Sequence, residues 1–214
     1  MLYYDHAGIQ IHLGDCREIL PTVPKCDLLL TDPPYGADIS ADWSWNAGKY
    51  SKVKGDDEVF DPAHLFICEN IVLFGANYFA DKLPNSRAWI VWGKRCGPSG
   101  ECEDMADCEL AWCSVDGNAR MIRHHWTGWL KASEQGKPRW HPTQKPIAVM
   151  AQIIKRMSEE GDVVLDPYCG AGSTLIAAKN LGREAIGIEI EERYCEIAAK
   201  RLSQEVFDFS EARA

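Results

Sequence analysis

Short apolar runs bounded by turn-forming residues recur along the chain at Ile9–Leu13, Asp27–Thr31, Asn70–Phe74, Ala88–Trp92, Glu109–Cys113, Met121–Trp126, Val163–Leu165 and Ala185–Ile188. Runs of this length predict strands, several short and continuous enough to be buried on both faces. Helical spacing or helical end signals mark Pro146–Met157, Ser173–Leu181 closed by Gly182, and Glu191–Leu202. Proline in the first turn and glycine just past the last are the residues those positions favour. The C-terminal third therefore runs helix, strand, glycine-rich turn, helix, strand, helix. That order predicts an α/β protein of βαβ units, with a mostly parallel central sheet and helices on both faces. No internal repeat and no low-complexity linker interrupts it.

The chain has 214 residues, enough for one domain with a full core, and its 46% hydrophobic and 26% charged composition is that of an ordinary globular protein. Disorder, a collagen-like repeat and a coiled coil are thereby excluded. No apolar run approaches the roughly 18 residues of a membrane span. The opening Met1-Leu-Tyr-Tyr-Asp5 has no basic and then apolar leader, so the expectation is a cytoplasmic protein whose nine cysteines are reduced thiols. A net charge of −9 argues against a nucleic-acid partner, because phosphate binding rests on Lys and Arg. The charge is segregated, however: residues 119–145 hold Arg120, Arg123, Lys131, Lys137, Arg139 and Lys145 against Glu134 alone.

Two constellations carry candidate chemistry. In Asp162-Val-Val-Leu-Asp166-Pro167-Tyr168-Cys-Gly170-Ala-Gly172-Ser173-Thr174 a buried strand runs into a glycine turn that opens a helix, the place where a doubly wound sheet holds nucleotide-like ligands. Gly170 and Gly172 admit close backbone approach, and Ser173 or Thr174 offers an N-cap oxygen. Glu189 closes the next strand 23 residues after Asp166, a spacing suited to ribose hydroxyls. The loop lacks the Gly-Lys-Ser/Thr of a P-loop and the third glycine of a dinucleotide site. A cationic adenosine ligand without a pyrophosphate suits it, and a plain strand-to-helix turn is the competing reading.

The second constellation is Asp32-Pro33-Pro34-Tyr35, at the end of the apolar run Asp27–Thr31. An exocyclic amino group on a base is a poor nucleophile because its lone pair is delocalised into the ring. Two acceptors gripping its hydrogens, the Asp32 carboxylate and the Pro33 carbonyl, would favour a pyramidal nitrogen. Consecutive prolines preset that carbonyl's direction. Tyr35 would stack on a base that is flipped out or already single-stranded. A proline turn capped by Asp32 is the alternative.

Taken together, Asp32-Pro-Pro-Tyr35 and Asp166-Pro-Tyr-Cys-Gly-Ala-Gly172 resemble the motifs of the S-adenosylmethionine-dependent DNA amino-methyltransferases, which modify adenine N6 or cytosine N4. The catalytic motif precedes the cofactor loop by 134 residues, the order of the circularly permuted β class. The resemblance implies a Rossmann-like methyltransferase fold in one domain over residues 1–214, with a small target-recognition region at about 80–140. It implies catalytic Asp32, Pro33, Pro34 and Tyr35. Its cofactor site comprises Asp15 and Cys16 after the strand at Ile11, Asp32, Thr143 and Lys145 of His141-Pro-Thr-Gln-Lys145-Pro146, Asp166, Pro167, Tyr168, Gly170, Gly172, Ser173, Thr174 and Glu189. Tyr168 stands where phenylalanine is common. Adenine N6 in DNA is the favoured target, because cytosine-N4 members more often begin the tetrapeptide with serine. Cytosine N4, RNA, a protein amide, and a catalytically silent nucleic-acid-binding module are the alternatives.

Arg120, Arg123, Lys131, Lys137 and Arg139, interleaved with Trp126, Trp129 and Trp140, are candidate phosphate and base contacts, or else a solvated cationic face. Trp43-Ser-Trp45-Asn46 is a candidate closing loop over the base, or else a cluster that simply packs. Cys96, Cys102, Cys108 and Cys113 lack zinc-site spacing, and adjacent His124 and His125 on a strand would face opposite ways, so no metal is expected. A short or relaxed recognition sequence is expected from the small target region. A restriction-modification context is implied, while a homodimer and a partner nuclease stay open.

Overall fold

A computed structural model describes residues 1–36, 54–95, 106–126 and 131–203. Trp43, Trp45, Asn46, Cys96, Cys102 and Trp129 lie outside the described residues. The described strands are β1 (Leu2–His6), β2 (Ile9–Leu13), β3 (Leu28–Thr31), β4 (Asn70–Phe74), β5 (Trp89–Gly93), β6 (Cys108–Cys113), β7 (Arg120–Arg123), β8 (Val163–Asp166) and β9 (Glu184–Glu189). The α-helices are α1 (Cys16–Ile19), α2 (Ile147–Met157), α3 (Ser173–Asn180) and α4 (Glu192–Ser203). All nine strands join one sheet in the order β1-β2-β9-β8-β3-β4-β6-β5-β7.

From β2 to β4 every neighbour is parallel. The pairing of β2 with β9, Ile11 opposite Gly187, joins the two ends of the chain into one continuous sheet. The carboxyl ends of β2, β9, β8 and β3 consequently lie along one edge, as the βαβ pattern predicts. Residues 80–140 do not stand apart from this sheet, since β5, β6 and β7 extend it through antiparallel β4–β6 and β5–β6 pairs.

Alternation along the strands divides the core. Leu28, Leu30, Val72 and Phe74 pack with Val149, Met150, Ile153 and Ile154 of α2, with Leu175 and Ala178 of α3, and with Cys195, Ala198 and Leu202 of α4. Leu29, Ile71, Leu73, Leu165, Ile186 and Ile188 face the opposite way, onto Cys16, Leu20, Phe60, Leu65 and Phe79. The two faces are covered unequally: three long helices on one, and on the other the single turn of α1 with 3-10 turns. Strands buried on both sides explain why their sequences read as unbroken apolar runs.

Four expectations need correction. Cys26 and Cys68 form a disulfide rather than two thiols. Each stands two residues before its strand, and because Leu28 pairs with Asn70 in the parallel register, the two cysteines are brought together, with Cα atoms 6.1 Å apart. Cys16, Cys108, Cys113, Cys169 and Cys195 are free thiols. The strand expected over Met121–Trp126 stops at Arg123, because its partner β5 ends at Gly93. His124 therefore sits past the strand, its Nε2 2.9 Å from Ser133 Oγ. The third correction is β1, a strand without an apolar run, held to β2 through Ala7 and Gly8, both at positive φ as a tight hairpin requires. The fourth concerns α3, whose N-cap is Gly172 in the left-handed region with no side-chain cap, so neither Ser173 nor Thr174 fills that role.

Candidate active site

The pocket lies at the carboxyl edge of β2, β9, β8 and β3, with a cavity volume of about 230 Å³. The expected residues Asp15, Cys16, Asp32, Pro33, Pro34, Tyr35, Thr143, Lys145, Asp166, Pro167, Tyr168, Gly170, Ser173, Thr174 and Glu189 line it. Gly172 does not; it underlies the loop, where a Cβ would meet that of Ala198 at 3.0 Å. Topology gathers most of these side chains, at the last residue of a strand or in the turn or helix start after it, while Thr143 and Lys145 come from the segment before α2.

Asp166 ends β8 and accepts hydrogen bonds from Thr31 Oγ1 at 2.7 Å and the Tyr168 amide at 3.2 Å. Burial pushes its carboxyl above the usual range. Glu189 ends β9; its Oε2 accepts from the Gly170 amide at 2.9 Å and its Oε1 from the Glu191 amide at 2.8 Å. Burial pushes Glu189 up to about 7 in spite of these donors. Asp15 caps α1 through the Arg17 amide at 2.8 Å. Ser173 Oγ is buried with no partner among the described residues. Tyr168 stands edge-on to Phe60, with its hydroxyl 2.9 Å from His64 Nε2.

On the β3 side, Tyr35 stacks on Tyr78 at 4.7 Å between ring centroids and 20° between planes. Asp32 is largely withdrawn from water. Its Oδ2 accepts from Lys145 Nζ in an ion pair, and its Oδ1 is buried without a partner among the described residues. Lys145, expected as a cofactor contact, also reaches Glu109 Oε2 at 3.1 Å, and Glu109 Oε1 accepts from Lys94 at 2.8 Å. Burial pushes Asp32 up to about 6 against the downward pull of Lys145, with Glu109 and Asp166 adding to the rise.

Sequence reasoning passed over Glu109 and Lys94. The available signal was a glutamate inside an apolar strand, Cys108-Glu-Leu-Ala-Trp-Cys113; the register sets Glu109 opposite Trp92, with Lys94 diagonal to it just past the end of β5. It also passed over Lys54 to Phe60, part of which lines the pocket, and Glu134, whose Oε2 accepts from the Ile147 amide at 3.2 Å and whose Oε1 meets Arg201 at 3.4 Å. Glu134 thereby caps α2 from a distant turn. Of the candidate phosphate contacts, Arg120, Arg123 and Lys137 are exposed and Arg139 is partly buried. Lys131 lies over the Trp126 ring at 4.9 Å and donates to the Lys137 carbonyl at 3.0 Å.

A permuted, mostly parallel sheet with an acidic crevice at its carboxyl edge defines the Rossmann-like methyltransferase class. The DNA methylase family model of N6/N4 type matches residues 81–200, more than half of the chain, and the chain belongs to that family. Among curated proteins it is 42% identical to type II methyltransferase M2.DpnII of Streptococcus pneumoniae over 88 residues, 41% of this chain and 33% of that protein. It is 28% identical to type II methyltransferase M.HinfI of Haemophilus influenzae over an alignment 253 positions long, gaps included, which covers 89% of this chain and 67% of that protein. The chain thus matches about a third of the length of M2.DpnII. Among solved structures it is similar to the M1.HpyAVI–SAM complex, at 26% identity and a TM-score of 0.59, with 92% of this chain and all of that one covered. The cytosine-N4-specific PvuII DNA methyltransferase, at 17% identity and a TM-score of 0.60 over 96% of this chain and 90% of that one, shares the fold. No helix among the described residues is long and apolar enough to cross a membrane.

Proposed function

We propose that this protein methylates an exocyclic amino group of a DNA base, adenine N6 in the first place, with S-adenosylmethionine as methyl donor. The observation that carries the reading is the Oδ1 of Asp32 in the pocket wall, buried and without a partner among the described residues. An acceptor withdrawn from water without a partner costs about 1–3 kcal/mol. An amine hydrogen satisfies it.

The donor set fits the methyl donor. Carboxylates of Asp15, Asp166 and Glu189 and the buried Ser173 Oγ suit its ribose, amine and cationic centre, and Gly170 at φ +48° brings backbone to the wall beside the His141 ring. When bound, S-adenosylmethionine supplies an electrophilic methyl group on a sulfonium. Asp32 Oδ1 then accepts one amine hydrogen and the Pro33 carbonyl the other, leaving the nitrogen lone pair as nucleophile. The Tyr35 ring, stacked on Tyr78, is the platform proposed for the base. Holding both reactants in line supplies most of the rate.

Labelled methyl transfer into unmethylated DNA, read by nucleoside mass analysis, tests this. N6-methyladenine is the expected product. Labelled N4-methylcytosine would transfer the reading to the other base, and unlabelled DNA beside labelled RNA or protein would overturn it.

Exposed Arg120, Arg123 and Lys137 are the proposed phosphate contacts. Each Arg120→Ala or Arg123→Ala substitution is expected to reduce the slope of log affinity against log salt by about 0.9, measured by fluorescence anisotropy on duplex DNA. An unchanged slope in both would remove β7 from the DNA side.

A further inference from the structure

We propose that Lys145, anchored by Glu109 and through it by Lys94, is a positioning residue that pins one carboxylate oxygen of Asp32 and leaves the other for the incoming amine. The proposal rests on the methyl-transfer reading above and adds to it how Asp32 is kept competent.

Four elements contribute to one buried row of alternating charge. Lys94 follows β5, Glu109 lies in β6, Lys145 precedes α2 and Asp32 follows β3. The side chains of Lys145 and Asp32 are 5% and 12% exposed, so water contributes little to either charge. A carboxylate in such surroundings takes up a proton unless a cation opposes it. Protonation would be fatal to the proposed role, because the acid would present a hydrogen to the amine instead of an acceptor. Lys145 supplies that opposing charge.

Lys145 by itself would be a poor positioning group. An ammonium on a four-carbon stem carries three donors and swings freely, so it could cover both oxygens of Asp32. Glu109 draws it aside at 3.1 Å, Lys94 fixes Glu109 at 2.8 Å, and the Phe74 ring lies 5.5 Å from the ammonium. The result is the observed division: Oδ2 paired, Oδ1 unpaired among the described residues. The other charged or titratable groups acting on Asp32 are Glu109 from β6 and Asp166 from β8, both raising its protonation range, and Tyr35 stands beside it on its own loop. Burial opposes ionisation of Glu109, but Lys145 and Lys94 outweigh it and hold the carboxyl at about 2. Lys145 is likewise held charged, above the ordinary lysine range, by Asp32 and Glu109 against burial.

Opposite pH shifts in two variants test the assignment. Lys145→Met removes the cation facing Asp32, and its carboxyl should titrate about 1–3 pH units higher. Glu109→Gln removes a like charge and frees Lys145 for Asp32, so the midpoint should fall. Carbonyl-carbon NMR of the full chain labelled at aspartate, with the Asp32 signal assigned by Asp32→Asn, reads both midpoints without any need for turnover. In kinetics, the acid limb of kcat/KM should move with them. Lys145→Met should lose about tenfold or more at pH 7 and regain much of it at higher pH, and Lys145→Arg should keep the wild-type limb. If Lys145→Met does not fold, the downward shift in Glu109→Gln and the retained midpoint in Lys145→Arg carry the test. Unmoved midpoints in folded variants, or a loss confined to the KM for S-adenosylmethionine, would overturn the proposal. A wild-type protein whose Asp32 titrates as described yet transfers no methyl to DNA would overturn the functional reading alone.

Discussion

Replacing Asp32 with alanine is expected to lower methyl transfer by roughly 10²–10⁴-fold, the range seen when a group acting on the reacting atoms is removed. The amine would lose the acceptor that withdraws its hydrogen, and no neighbour can replace it. Pro33 offers only its carbonyl, and Lys145 would present donors to an amine that is itself a donor. Stability should change far less. Burial raises the Asp32 carboxyl from its ordinary 3.8 to about 6, so holding it ionised costs the fold stability, a cost that grows as pH rises from about 4 to about 6 and stays above it. Alanine removes that cost. Against this, Lys145 loses one partner but keeps Glu109 at 3.1 Å. Thermal melting at pH 7.5 beside a methyl-transfer assay checks both parts. Full folding with wild-type activity would remove Asp32 from the mechanism.

The second large effect is expected at Gly75, a residue with no chemistry of its own. Gly75 follows β4 at φ +67°, and a Cβ there would overlap the ring of Tyr35, with even Cγ at 2.8 Å. Gly75→Ala carries about 1–2 kcal/mol for the left-handed backbone and about 1–3 kcal/mol for the forced displacement. At about 2–4 °C per kcal/mol for a chain of this size, the melting temperature should fall by roughly 5–20 °C. Activity should fall with it, because Tyr35, whose ring packs against Gly75 and stacks on Tyr78, is the proposed platform for the base. A double-mutant cycle separates the two costs. With Tyr35→Ala in place the collision is gone, so Gly75→Ala should then cost only its backbone share. An equal cost in both backgrounds would show that the ring plays no part.

Tyr35 and Gly75 illustrate what local sequence can and cannot convey. Asp32-Pro-Pro-Tyr35 stands out because two prolines after a buried strand are rare and their backbone restraint is local. The demand for glycine at 75 arises from a ring 40 residues away in the chain, and Phe74-Gly-Ala-Asn gives no hint of it. The same division holds for the charges. Asp166 and Glu189 are legible because each ends an apolar strand and therefore must lie at the sheet edge. Glu109, with the same chemistry, sits in a strand whose place beside β4 and β5 is settled only by antiparallel pairing across the sheet. Lys145 and Asp32 were each visible, but their pairing was not; the ion pair spans 113 residues. The surplus of positive charge over residues 119–145 is likewise only partly a surface property, since Glu134 is buried against Arg201 and Lys145 is buried against Asp32 and Glu109.

By itself, the sequence determined what depends on short-range covalent and periodic constraints. These are the apolar runs that become two-faced strands, the glycine turn that opens α3, and the order of two motifs that makes the sheet a permuted one. Tertiary structure decided which side chains share a medium of low polarity. It joined Cys26 to Cys68 through the register of β3 and β4, and set Lys145 and Glu109 around Asp32. Which oxygen of that carboxylate is left to react follows from that arrangement. The physical reason is that desolvation and Coulomb interaction act through space. Their strength at Asp32 follows from what four separate elements place within a few ångströms, which no window along the chain contains.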